Sequence, residues 1–185
     1  MIAMFAALTA IGAFIKIPLP VVPFTLQIVF VFLAGCLLGS RNGLQSQLIY
    51  IGIGLVGLPV FTQGGGITYV LQPTFGFLIG FALAAFVIGL MIEKVDNPTK
   101  KHFIGANIVG LIIIYAVAVP YLYVSLNFWL HMKTSWSHIF LVGFLNSIVA
   151  DFCLAIVSAL LAERLYKVFQ SARMLKIVQV EKENV

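Results

Sequence analysis

Long apolar runs follow one another along this chain, and nearly all of its charge is confined to the short segments between them. Of the 185 residues, 62% are hydrophobic and 9% charged, against roughly half and about a quarter in a soluble domain. So few charges cannot coat a soluble globule, and so much apolar material excludes disorder. What remains is an all-α integral membrane protein. A helical span takes about 20 apolar residues, so the chain holds roughly six spans and leaves no room for a second soluble domain. The expectation is one membrane domain over residues 1–185, with a basic tail from about residue 163.

The spans read as residues 1–15, 24–39, 44–58, 74–92, 103–126 and 138–161. The first lacks a basic leader and a small-residue cleavage site before Lys16, so it reads as a retained span rather than a secretory signal. Pro18, Pro20 and Pro23 make the first loop extended and stiff. Ser40 to Gly43 reads as a turn between the second and third spans, and Pro59 closes the third. Residues 61–73, with Gly64, Gly65 and Gly66 among aromatic and amide side chains, are poor helix and plausible lining for a site. Pro120 falls near the end of the fifth span, and 127–137 is a short aromatic loop.

Six spans put both termini on one side. With that side cytoplasmic, nine of the eleven Lys and Arg lie inside, leaving Lys16 and Lys133 outside. The net charge of +5 is therefore a topology signal and not a nucleic-acid footprint. The proline-rich, glycine-rich and Trp129/Trp136 loops then face outward, while the inner connections are short and basic, an arrangement that suggests capture of an external ligand.

Five of the six acids sit in predicted inner loops or the tail; Asp151 alone lies well inside a span. A carboxylate there costs about 2.5–3.5 kcal/mol on insertion scales, which calls for a partner or a polar cavity. Helical spacing puts Gly143, Ser147, Asp151, Ala155, Ser158 and Ala162 on one small, polar stripe that must face protein. The alternative role is structural, a carboxylate protonated or bonded to a neighbouring Tyr or Asn. His102, His131 and His138 lie near span ends without metal-ligand spacing, and Cys36 and Cys153 read as buried free thiols. The chain has no P-loop, so ATP hydrolysis would fall to a partner. Ala3 and Ala7, echoed by Ala6 and Ala10, form a small-xxx-small pair suited to close helix contact with a partner or with another span.

One order of motifs runs through most of the chain: Ala-Leu-Thr-Ala-Ile-Gly-Ala at 7–13, Ile-Pro-Leu-Pro at 17–20, Pro-Phe-Thr-Leu-Gln at 23–27, Leu-Ala-Gly-Cys-Leu-Leu-Gly at 33–39, Gly-Leu-Pro-Val-Phe at 57–61, Gly-Gly-Gly at 64–66 and Pro-Thr-Phe-Gly-Phe-Leu-Ile-Gly-Phe at 73–81. This resembles BioY, the biotin-specific substrate-binding (S) component of energy-coupling factor (ECF) vitamin transporters. The resemblance implies a six-helix S-component fold in the bacterial cell membrane and an outward pocket capped by the first and third loops. It also implies coupling to a transmembrane T subunit, met by the Ala3/Ala7 face, and to two cytoplasmic ATPases. No enzyme activity or cofactor is expected in the chain itself. Two positions depart from the family pattern. Phe75 replaces a glycine of Pro-Thr-Gly-Gly-Tyr, and Leu154 replaces the lysine of Asp-x-x-Lys after Asp151.

Biotin's ureido ring offers two N–H donors and a carbonyl on an apolar bicycle. An ionised Asp151 would accept from those donors, and Gln72 and Gln27 would serve the carbonyl. Tyr69, Thr74 and Phe77 would supply wall and hydrogen-bonding edge. Each of these residues also fits an interfacial or capping role. With Leu154 in place of the lysine, the ligand's carboxylate is left to loop amides, hydroxyls or Lys16. The alternative function is a proton-coupled secondary transporter of a small vitamin-like solute, with Asp151 carrying the proton; an intramembrane enzyme is a third class.

Overall fold

The computed structural model describes residues 1–17 and 22–183. The expected stiff segment at Pro18 to Pro20 lies outside the described residues. In chain order the elements are α1 (Ile2–Phe14), β1 (Lys16–Ile17), β2 (Phe24–Thr25), α2 (Gln27–Leu38), α3 (Ser40–Val56), α4 (Phe75–Glu93), α5 (Lys100–Val124), α6 (Trp136–Phe140) and α7 (Asn146–Glu183). A 3-10 turn covers Ile67–Leu71, and π-helical turns cover Ser125–Trp129 and Leu141–Leu145. Helix dominates, as the apolar runs require. Three stretches, Phe75–Glu93, Lys100–Trp129 and Trp136–Gln170, are long and apolar enough to cross a membrane, while Ile2–Phe14 and Gln27–Leu38 are shorter apolar helices.

The core is shared by α2, α4, α5 and α7, with Phe32, Val31, Ala84, Ile88, Phe103, Ile114 and Ala159 almost wholly inaccessible. Helices in lipid gain little from apolar burial against one another, so close van der Waals fit holds them together. α4 and α5 meet backbone to backbone: a Cβ on Gly80 would stand 2.9 Å from Ile114 Cα. A polar cluster ties three helices at the centre. Asn107 on α5 donates to Ala155 O (3.0 Å) and Ser158 Oγ (3.1 Å) on α7, and accepts from Cys36 Sγ on α2 (3.4 Å). Cys36 is buried as expected and Cys153 is exposed on α7; both are free thiols.

Two element boundaries differ from the sequence reading. Residues 40–43, expected as a turn, are the first turn of α3, because the reversal is made by Gly39 alone at φ +82°. Glu93 at the end of α4 then caps the new helix, accepting from Ser40 N–H (2.8 Å) and Ser40 Oγ–H (2.7 Å). Carboxylates are stabilising at a helix N-terminus, where unpaired N–H groups collect. The final apolar run begins two residues earlier than expected, at Trp136, and continues to Gln170 as one helical stretch that carries a π-helical turn at Leu141–Leu145. Pro120 sits inside α5, exposed, near the point where that helix loosens into its own π turn.

Candidate functional site

The polar side chains collect at the end of the bundle where two loops meet. The first loop is a two-stranded ribbon, with Lys16 opposite Thr25 and Ile17 opposite Phe24. A ribbon this short is marginal alone, and it is pinned by its neighbour, since the Lys16 ammonium donates to the Thr62 carbonyl.

That neighbour is the glycine-rich loop after α3. Gly57, Gly64 and Gly66 hold φ of +121°, +117° and +102°. Gly65 has no room for a side chain, a Cβ there falling 2.2 Å from Leu58 O. The loop folds onto itself and onto α3 through Phe61 N–H to Gly64 O (2.9 Å) and Gly66 N–H to Gly54 O (2.7 Å). Phe61 is buried edge-on to Tyr50, ring centroids 5.4 Å apart. The 3-10 turn is fastened to the α5 end by Tyr121 O–H donating to Val70 O and Ser125 Oγ donating to Leu71 O (2.6 Å). So held, the turn directs Tyr69 inward, where its hydroxyl bonds both Thr62 Oγ1 (3.0 Å) and Thr74 Oγ1 (2.9 Å).

Gln27, at the start of α2, closes another chain. Its Nε2 donates to Tyr50 OH (2.8 Å), which donates to Val60 O (3.1 Å), while its Oε1 accepts from Thr25 Oγ1 (3.2 Å). One glutamine thus connects the ribbon, α3 and the glycine-rich loop. From the far side α7 brings Ser147 and, one turn on, Asp151, whose carboxylate accepts from Tyr115 O–H of α5.

Between these groups lies a narrow cavity of about 40 Å3. Thr25, Gln27, Thr62, Tyr69, Thr74, Ser147 and Asp151 give it polar groups, and Val22, Phe24, Ile28, Phe77, Leu78, Phe81 and Ile114 give it apolar walls. Largely apolar walls with a few convergent polar groups are the usual makeup of a small-molecule pocket. An anionic or neutral acceptor at Asp151, amide and hydroxyl groups opposite and aromatic surface between them suit a compact ligand that carries N–H donors on an apolar frame.

Five candidates from the sequence, Asp151, Gln27, Tyr69, Thr74 and Phe77, therefore line one cavity. Gln72 does not. It ends the 3-10 turn in extended backbone (φ −73°, ψ 143°), is exposed, and is absent from the lining residues. Ala3 and Ala7 are exposed on α1, whereas Phe5, Ala6, Thr9, Gly12 and Ala13 face the bundle. Thr25, Thr62 and Tyr115 escaped the sequence reading: hydroxyls in polar loops carry no distinguishing spacing. A tyrosine within an apolar span was a usable signal, and a Tyr or Asn partner for Asp151 was one of the alternatives weighed. Among the described residues no group of three His, Cys, Asp or Glu is placed to hold a metal ion.

A family model described as the BioY family matches residues 1–171. The chain belongs to the BioY family. A probable biotin transporter BioY of Lysinibacillus sphaericus is 86% identical over 185 residues, covering 100% of this chain and 94% of that protein. The biotin transporter BioY of Thermotoga maritima is 42% identical over 165 residues, covering 88% and 92%. Among solved structures, a crystal structure of the S-component for biotin from an ECF-type ABC transporter aligns with a TM-score of 0.67 at 27% identity, covering 90% of this chain and 88% of that one. The BioY resemblance read from the ordered motifs is thus established across nearly the whole chain, and the helical architecture is similar to that of the S-component structure.

Proposed function

We propose that this protein is the biotin-binding S component of an ATP-driven ECF uptake transporter in the bacterial cell membrane. It is one membrane domain of six spans with both termini cytoplasmic. The observation that carries the reading is the convergence of Asp151, from the last helix, with Gln27, Tyr69 and Thr74 from the loop end of the bundle on one cavity. In this mechanism biotin enters from outside, its ureido N–H groups donate to Asp151, and the bicycle packs against Phe77 and Phe81. Hydroxyls of the Thr62–Tyr69–Thr74 chain serve the ureido carbonyl, with Gln27 holding the ribbon over the ligand. Gln72, exposed, is left out of this wall. The glycine-rich loop acts as the lid. Its glycines permit the backbone excursions of opening, and its bonds to Lys16, Tyr121 and Ser125 hold it shut. A T subunit and two ATPases then turn the loaded subunit toward the cytoplasm by toppling it as a rigid body. ATP hydrolysis and its cofactor needs belong to those partners.

Calorimetry on purified protein in detergent tests the assignment. Asp151→Asn keeps the shape but exchanges the acceptor, and it is expected to weaken biotin binding by more than about tenfold, the size of one charge-assisted hydrogen bond. Unchanged affinity in a folded protein removes Asp151 from the site. A proton-coupled carrier would use the same carboxylate; uptake that survives loss of the ATPases but collapses with the proton gradient would replace the S-component reading with that one.

A further inference from the structure

Asp151 is 8% exposed, and Tyr115 O–H is its hydrogen-bond partner among the described residues. No Lys, Arg or His pairs with it there; the ion pair seen among those residues joins Lys167 to Glu163. Tyr115 is itself tightly placed. It is 5% exposed, follows the cavity residue Ile114 on α5, and stands edge-on to Phe144 (centroids 5.0 Å apart, 79°) and to Phe77 (6.1 Å, 81°). Its ring also walls off a second, apolar groove between α5 and the α6–α7 segment, which offers the acid no partner. The phenol thus reaches from α5 across to α7 and takes one oxygen of the carboxylate.

We infer that Tyr115 is a positioning residue for ligand selection: by holding Asp151 Oδ2, it fixes the carboxylate plane so that the other oxygen presents a directed acceptor to an N–H donor in the cavity. The inference rests on the proposed biotin site and adds the device that orients its acid. A carboxylate on two rotatable bonds would otherwise lose part of its interaction energy to ordering on each binding event. Tyr115 supplies that order before the ligand arrives. Because its hydroxyl donates to Asp151, it touches the ligand only through the acid and through Phe77, against which its ring is set.

A double-mutant cycle on the full-length protein in detergent separates this role from simple packing. Biotin affinity is measured for the unsubstituted protein, Tyr115→Phe, Asp151→Ala and the double variant, with melting temperature recorded for each. The expected result is a loss of about tenfold for Tyr115→Phe in the native background and of less than about twofold when Asp151 is already alanine. An equal loss in both backgrounds, or none in the native one, overturns the inference while leaving Asp151 in the site. If Asp151→Ala binds biotin as tightly as the unsubstituted protein, the proposed site itself fails, and the inference with it. Should Tyr115→Phe not be monodisperse in detergent, the same cycle is run on protein in lipid nanodiscs with the same criteria.

Discussion

A hydroxyl bonded to two other hydroxyls ranks as donor to one and acceptor from the other, and Tyr69 holds that place between Thr62 and Thr74. All three oxygens are largely out of water, so cutting the chain leaves polar groups unpaired at about 1–3 kcal/mol each. Tyr69→Phe is therefore expected to lower the melting temperature by at least about 4 °C and to weaken biotin binding several-fold. Thermal melts with and without biotin check this, and unchanged values for both would show the chain to be dispensable. Residues of this kind differ in how plainly a sequence displays them. Asp151 stands out because a lone acid in an apolar run needs a reason to be there. Tyr115 does not, because nothing in the spacing of the chain places it beside an aspartate 36 residues later. Gln27 and Gln72 look alike as amides near loop ends, and only the direction of a backbone turn separates the lining residue from the exposed one.

At the scale of the element, α1 has 13 residues and is therefore about 20 Å long, short of a roughly 30 Å hydrocarbon core. Its inner face is fixed by Phe5, Ala6, Thr9 and Ala13, and Thr9 is tied to Gln47 of α3 (3.3 Å). Ala3 and Ala7 are left on the outer face with Met4 and Ile11, giving a low ridge that another helix can approach closely. Ala3→Trp and Ala7→Trp fill that ridge without touching the cavity. Both are expected to abolish co-purification of the T subunit while biotin affinity stays within about twofold. A T subunit still retained by both variants would move the partner surface elsewhere. The small-residue spacing was legible, but the two alanine pairs are indistinguishable in sequence. Packing separates them, since Ala6 is buried and Ala7 is not.

For the whole molecule the consequential expectation is orientation. The loop end that carries the cavity also carries Trp129 and Trp136, and the opposite end carries Glu93, Lys94 and the α7 extension with Arg164 and Lys167. Amphipathic aromatics at one membrane face and cations at the other fit a cavity that opens outside the cell. With Cys36 and Cys153 replaced by alanine, Met132→Cys is expected to react with a membrane-impermeant maleimide in intact cells and Gln170→Cys only after permeabilisation. The reverse pattern would turn the cavity inward and contradict capture from outside.

Apolar runs, the scarcity of acids, the bias of the cations and the ordered motifs are properties of a one-dimensional string, and they determined the membrane class and the family and singled out Asp151 as the acid to explain. The tertiary structure decided which side chains meet. Gly39 turns the chain in one residue where four were expected, the final run carries a π turn, and the hydroxyls of Thr62, Tyr69 and Thr74 become neighbours through a folded loop. Hydropathy accumulates residue by residue, so a sequence displays it directly. A hydrogen bond between helices depends on the angle and depth at which they pack, and that is set by contacts distributed over the whole bundle.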